Sequence, residues 1–351
     1  MSPTHVMTVR GPVDPAAIGV TSMHDHIFWD SSSWWNPESF EDQSLVDRPL
    51  TMSTSGLARW NALGIRDNLV MSPDEYETQK AEVAMFVAAG GTCLVDPTCE
   101  GLSAQPLLLR RMAEELDFAI VAGAGIYVEH AHPPWVRDAS STVVRDFIFG
   151  QVLRGLAGTD VLPGFIGEVG SSNPVTEQEM KVLRAAAQVG VATGTMVAVH
   201  LTTPGRHAPM IVDLLAQEGL PGDRVVLCHM DEVLDLDYHL SVLDRGATVE
   251  FDTFGFEGYF ARLWKTPSDG EKMTFLAQLV ERGYRDQIVV GHDVALKCQL
   301  QRFGGLGYDH IPRRIMPALR SHLGLSDADI HALLVGNPRR LLTRPGSGHS
   351  N

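Results

Sequence analysis

Short apolar runs alternate with longer amphipathic stretches along most of the chain, which predicts alternating strands and helices. Eight candidate strands stand out: Thr21–His24, Thr92–Asp96, Ala119–Gly123, Phe165–Glu168, Met196–His200, Val225–His229, Thr248–Asp252 and Ile288–His292. Each is too short for a helix and is bounded by Gly, Pro or polar residues. Helix starts are readable between them. Ser72-Pro-Asp-Glu75 places a capping serine, a first-turn proline and a reciprocal glutamate ahead of Tyr76–Ala89. Thr176-Glu-Gln-Glu179 does the same for Met180–Val189, and Ser326-Asp-Ala-Asp329 gives an aspartate version near the C-terminus. Pro209–Glu218 and Leu236–Arg245 are further amphipathic candidates.

Strand–helix alternation repeated eight times predicts an α/β protein, and a (β/α)8 TIM barrel above a doubly wound open sheet. Most late strand-to-strand intervals, roughly 20 to 45 residues, suit one strand, one helix and two loops. The first interval is longer, about 70 residues, and holds Trp34-Trp35 and the Ser/Thr/Gly-rich stretch 53–56. It predicts an elaborated first βα loop. No linker, charge block or internal repeat splits the chain, so residues 1–351 are expected to form a single barrel domain.

Five of the candidate strands end, or are followed at once, by residues able to bind a divalent metal: His24 and His26, Glu168, His200, His229 and Asp293. In a parallel barrel all strand C-termini open on one face, so these residues converge. Alternate strand residues point the same way, so His24 and His26 can address one ion together. Singly, each has an ordinary role in a core or a cap. Four histidines and two carboxylates in this order are another matter, because buried carboxylates without partners are costly. Imidazole and carboxylate ligands without cysteine suit Zn²⁺, and also Mn²⁺, Co²⁺ or Fe²⁺. Six ligands exceed what one catalytic zinc takes. They divide into His24, His26 and Asp293 around one ion and His200 and His229 around a second, with Glu168 between. The expected nucleophile is a hydroxide shared by the two ions, with Asp293 as proton acceptor and later donor.

Composition narrows the function classes. A formal charge of -15 argues against a nucleic-acid binder, which needs a basic face to displace counterions. Neither a secretory signal nor a membrane-spanning run is readable, and the four scattered cysteines are expected to be reduced core thiols. A cytoplasmic enzyme with a small-molecule substrate is the expectation.

The stretch Gly19-Val-Thr-Ser-Met-His-Asp-His26 resembles the opening of the phosphotriesterase family of the amidohydrolase superfamily. So do Gly164-Phe-Ile-Gly-Glu-Val-Gly170, Val199-His200, Cys228-His229 followed by Asp231, and Gly291-His-Asp293. The segments Gly304-Gly-Leu-Gly-Tyr-Asp-His310 and Asn337-Pro-Arg-Arg-Leu-Leu342 extend the resemblance to the tail. It implies the barrel, the two-metal centre with this ligand assignment, and a homodimer. Many members of that family carry a carboxylated lysine as the bridge. Here the position reads Glu168, which is similar to the branch of the phosphotriesterase homology and phosphotriesterase-related proteins. After strand seven, phosphotriesterases proper have a relay histidine and lactonase-like members an Asp-Arg pair. This chain reads Phe251-Asp-Thr-Phe254 and supplies neither. Gly125-Ile-Tyr127 resembles the lactonase-like segment whose tyrosine approaches the metals.

Pocket walls are expected from the loops after strands one, three, seven and eight, which hold Phe28, Trp29, Trp34, Trp35, Tyr127, Phe254, Phe256, Tyr259 and Phe260. Tyr127, Trp29 and Phe254 are the candidate substrate contacts among them. Arg206 and Lys297 are the candidates for binding an anionic substrate group. The leading expectation is hydrolysis of a carboxylic ester, lactone or amide. Phosphoester hydrolysis and a non-catalytic metal or small-molecule-binding barrel are the alternatives.

Overall fold

The computed structural model describes residues 4–262 and 264–344. Its centre is an eight-stranded parallel sheet in sequential order, made of β1 (Thr21–Ser22), β2 (Cys93–Asp96), β3 (Ala119–Ala124), β4 (Phe165–Ser171), β5 (Val197–Leu201), β6 (Val225–Leu227), β7 (Thr248–Phe251) and β8 (Ile288–Val290). Backbone hydrogen bonds join the first strand to the last: Met23 donates to the Val290 carbonyl at 2.9 Å and Asp293 to the His24 carbonyl at 2.9 Å. The fold is a (β/α)8 barrel. Gly291 stands where closure is tightest, since a Cβ there would lie 2.8 Å from the His24 nitrogen.

Strand parity divides the core. Met23, Cys93, Val95, Val121, Phe165, Met196, Ala198, Val226, Cys228 and Val289 pack together as one buried cluster inside the barrel. Their neighbours Leu94, Ile120, Ile166, Val197, Leu227, Val249 and Ile288 belong to the layer between barrel and helices. Val6, Ile18, Leu341 and Leu342 join the inner cluster, so both ends of the described chain help to close one mouth. Truncating a fully buried member such as Val226 to Ala should cost about 2 kcal/mol in chemical denaturation.

The expected helix starts are present. Capping boxes form at Ser72/Glu75, Thr176/Glu179 and Ser326/Asp329. The long first loop contains an antiparallel pair, Trp29–Asp30 with Val70–Met71, and the helix Ser55–Trp60. All four cysteines are free and buried. No helix among the described residues is long and apolar enough to cross a membrane.

Four strands stop earlier than their apolar patterns predict: at Ser22 rather than His24, at Leu227 rather than His229, at Phe251 rather than Asp252, and at Val290 rather than His292. Their last residues leave the ladder to face the open mouth. His229 and Asp293 do so in the left-handed region, at φ 60° and 45°, a conformation that costs a side-chain-bearing residue energy and clusters at functional sites.

Candidate active site

The barrel mouth gathers His24, His26, Glu168, His200, His229 and Asp293. Glu168 is central. Its Oε1 lies 3.4 Å from His26 Nε2, and its Oε2 lies 3.0 Å from His200 Nδ1 and 3.4 Å from His229 Nε2. Asp293 Oδ1 lies 3.5 Å from His26 Nε2 and 3.7 Å from His24 Nε2. Two donor sets share Glu168: His24, His26 and Glu168, and Glu168, His200 and His229, each with ligand atoms within 4.8 Å of one another.

Each imidazole is held by its second nitrogen. His26 Nδ1 meets the Thr98 hydroxyl at 2.8 Å, His24 Nδ1 meets Glu250 Oε2 at 3.2 Å, and His229 Nδ1 meets Asp252 Oδ1 at 3.1 Å. Asp252 also accepts the His229 backbone N–H at 2.8 Å. These contacts leave Nε2 of each ring facing the centre, whereas His200 turns Nδ1 inward. Carboxylates behind histidines fix ring orientation and raise ligand basicity. Asp25 ties the rim instead. It takes the Ser22 hydroxyl and His292 Nδ1 on one oxygen and the Val294 N–H on the other.

The donor set fits divalent cations. Glu168, Glu250, Asp252 and Asp293 put four carboxylates into a largely dry space, which demands positive charge. Burial opposes charge on His24, but Glu168, Glu250 and Asp252 overcome it and push its pKa up to about 10. Burial likewise opposes ionisation of Glu168, yet His200 and His24 hold it well below the usual carboxylate range. The His24 Nε2 atom is buried without a hydrogen-bond partner and points at Glu168 and Asp293. Such an atom suits a metal ligand.

Asp293 differs from the rest of the cluster in access. Its side chain is 19% exposed, against 1% for Glu168 and His26. Burial raises its pKa, against the pull of His24, His229 and His26. It lines a pocket together with His200 and His229. Trp29, Trp34, Leu63, Tyr127, Phe256 and Phe260 supply much of the wall. Trp29 stacks on His26 with ring centroids 4.1 Å apart, and the Tyr127 hydroxyl lies 3.3 Å from His200 Nε2.

Three expected substrate contacts are not brought into this pocket. The Arg206 guanidinium pairs with Asp235 at 2.7 Å on the exposed surface. Lys297 is buried between Asp67 and Glu75, 2.8 Å from each, and joins the first loop to the last. Phe254 is 1% exposed and packs in the core, with the Lys272 ammonium 5.9 Å from its ring centre. Of the other aromatic candidates, Phe28 stacks on Tyr76, the Trp35 indole donates to the Gly64 carbonyl, and Tyr259 contacts Trp60.

The sequence reading missed Glu250 and Thr98. Parity carries the signal for Glu250, because Val249 and Phe251 face the helices and leave a glutamate pointing into the barrel. Replacing Glu250 with Ala should weaken metal binding about 10- to 100-fold, as removal of such an orienting carboxylate typically does. Glu250→Gln, which retains an acceptor, should lose less. Competition against a chromophoric chelator measures both.

The phosphotriesterase family model matches residues 4–342. The chain belongs to the phosphotriesterase family. Among its relatives, N-acetyltaurine hydrolase of Xenopus tropicalis is 34% identical over 345 residues, covering 96% of this chain and 97% of its own. A resiniferatoxin-binding protein from Rhodobacter sphaeroides superposes with a TM-score of 0.92 at 37% identity, over 97% of both chains. The phosphotriesterase homology protein of Escherichia coli shares the fold, with a TM-score of 0.77 at 24% identity over 94% of this chain and 100% of that one. Family, relatives and the buried His/Glu/Asp cluster make this member of the phosphotriesterase family a hydrolase.

Proposed function

We propose that this chain hydrolyses the acyl bond of an amide, carboxylic ester or lactone, using two divalent metal ions. His24, His26 and Asp293 would hold one ion, His200 and His229 the other, and Glu168 both. The observation that carries this reading is the placement of two donor sets around one buried glutamate, beside a carboxylate that opens into an aromatic pocket. The donors suit zinc, with manganese, cobalt or iron as alternatives. When bound, such ions polarise an acyl oxygen and make water acidic enough to be a nucleophile near neutral pH.

The chain's own groups do the rest. Asp293, the most accessible carboxylate of the cluster, takes a proton from the attacking water and returns it to the departing amine or alcohol. Its backbone is fixed for this, since its N–H donates to the His24 carbonyl and its carbonyl accepts the Gln299 amide at 2.7 Å. The aromatic walls hold the substrate's apolar part and keep bulk water out. An amide as the scissile bond is supported by the N-acetyltaurine hydrolases among the relatives. Phosphotriester chemistry gains no such support. Thr253, in the stretch after strand seven that supplies no relay histidine, gives both its N–H and its hydroxyl to Asp231 at 3.0 Å.

The test is to strip the protein with chelator, restore Zn²⁺, Mn²⁺ or Co²⁺ separately, and assay amide, ester, lactone and aryl phosphotriester panels. Acyl turnover that vanishes on stripping and returns with metal is expected, well above phosphotriester turnover. Preference for the phosphotriester would overturn the reading.

A further inference from the structure

We infer that the pocket selects uncharged substrates with an apolar body and discriminates against those bearing a sulfonate or carboxylate. The inference rests on the acyl-hydrolase reading and names which acyl compounds the site takes.

The wall beyond the histidines is mainly apolar and aromatic, with Ser31, Thr202, Thr203, Thr253 and Gln299 as neutral polar members, and it carries two carboxylates. Asp293 is one. Glu232 is the second, 6% exposed and accepting the Thr203 hydroxyl. Among the described lining residues there is no lysine or arginine.

Several basic residues in the loops around the mouth are engaged elsewhere. Lys297 lies between Asp67 and Glu75, and Arg262 pairs with Glu41 at 2.7 Å. Arg59 donates to the Cys298 carbonyl at 3.0 Å, and buried Lys272 donates to the carbonyls of Thr253 and Phe256. Freeing buried Lys272 would strand the carbonyls it satisfies, and freeing Lys297 would break a largely buried ion pair, whereas the Arg262–Glu41 pair lies on the surface.

Two lining residues each keep a polar atom buried without a hydrogen-bond partner. Trp29 is 6% exposed, and its indole N–H has no hydrogen-bond partner; the Thr202 hydroxyl is buried and also without one. Away from the histidines, an anionic group placed beside Glu232 would lose its hydration with no lysine or arginine on the wall to replace it.

The experiment uses pairs that share a scissile bond and differ in charge, assayed with the metal-loaded enzyme. One pair is N-acetyltaurine and its uncharged sulfone analogue N-[2-(methylsulfonyl)ethyl]acetamide. The other is 4-acetoxybenzoate and phenyl acetate. In each, kcat/KM for the uncharged member should exceed that of the anion by about tenfold or more. Leu63→Lys, which adds an ammonium at a partly exposed wall position, should narrow that ratio, whereas Leu63→Met should not. Equal or better turnover of the anions by the unaltered enzyme overturns the inference while leaving acyl hydrolysis standing. Turnover of neither member in either pair removes the acyl-hydrolase reading, and this inference with it.

Discussion

Asp293→Asn is expected to lower kcat by about 10²- to 10⁴-fold, the usual contribution of a positioned proton acceptor. The substitution keeps the side chain's size and one oxygen, but it removes the negative charge and the ability to accept the proton. Its effect should fall on chemistry more than on folding. Asp293 lies at the pocket edge, and the backbone bonds that fix it, to His24 and Gln299, do not involve its side chain. The measurement is kcat at saturating substrate and metal, with circular dichroism and metal content in parallel. A variant that keeps its metals and more than a tenth of the activity would remove Asp293 from the role assigned to it.

Glu168→Ala should have a different signature. Glu168 is the group common to both donor sets, and four histidines surround it. Without it the two sets have no shared ligand, and metal content should fall from two ions per chain to one or fewer, with activity lost. Stability should respond as well. An ion that binds only the folded chain stabilises it by about 4 kcal/mol at a thousand times its dissociation constant. Wild-type protein should therefore gain thermal stability on metal addition, and Glu168→Ala should lose most of that gain. Calorimetry with and without Zn²⁺ reads both. An unchanged metal-induced shift in the variant would show that the ions are held elsewhere.

Much of this architecture can be read from the chain because local pattern and global fold agree. The apolar runs at Cys93–Asp96, Ala119–Ala124 and Val197–Leu201 are near-continuous because barrel strands are buried on both faces. Motif order then places His24, His26, Glu168, His200, His229 and Asp293 at one mouth, and the structure brings these six together. What could not be read depends on pairings distant in sequence. Lys297 looks like a free cation in a loop until the fold sets it against Asp67, 230 positions earlier. Arg206 is spent on Asp235 by the approach of two neighbouring βα loops. Phe254 sits beside pocket residues in sequence but turns into the core, leaving Phe256 and Phe260 to form the wall. Glu250 lay within reach of a parity argument, since a glutamate between Val249 and Phe251 on a barrel strand has only the interior to face.

The account's central claim is that this mouth holds two divalent ions on which acyl hydrolysis depends. It is tested most directly by adding Zn²⁺ stepwise to metal-stripped protein while following bound metal by elemental analysis and hydrolysis of phenyl acetate in the same samples. The account predicts binding that saturates at two ions per chain, with activity absent in the stripped protein and maximal when both sites are filled. Full activity in protein shown to be free of metal would contradict it.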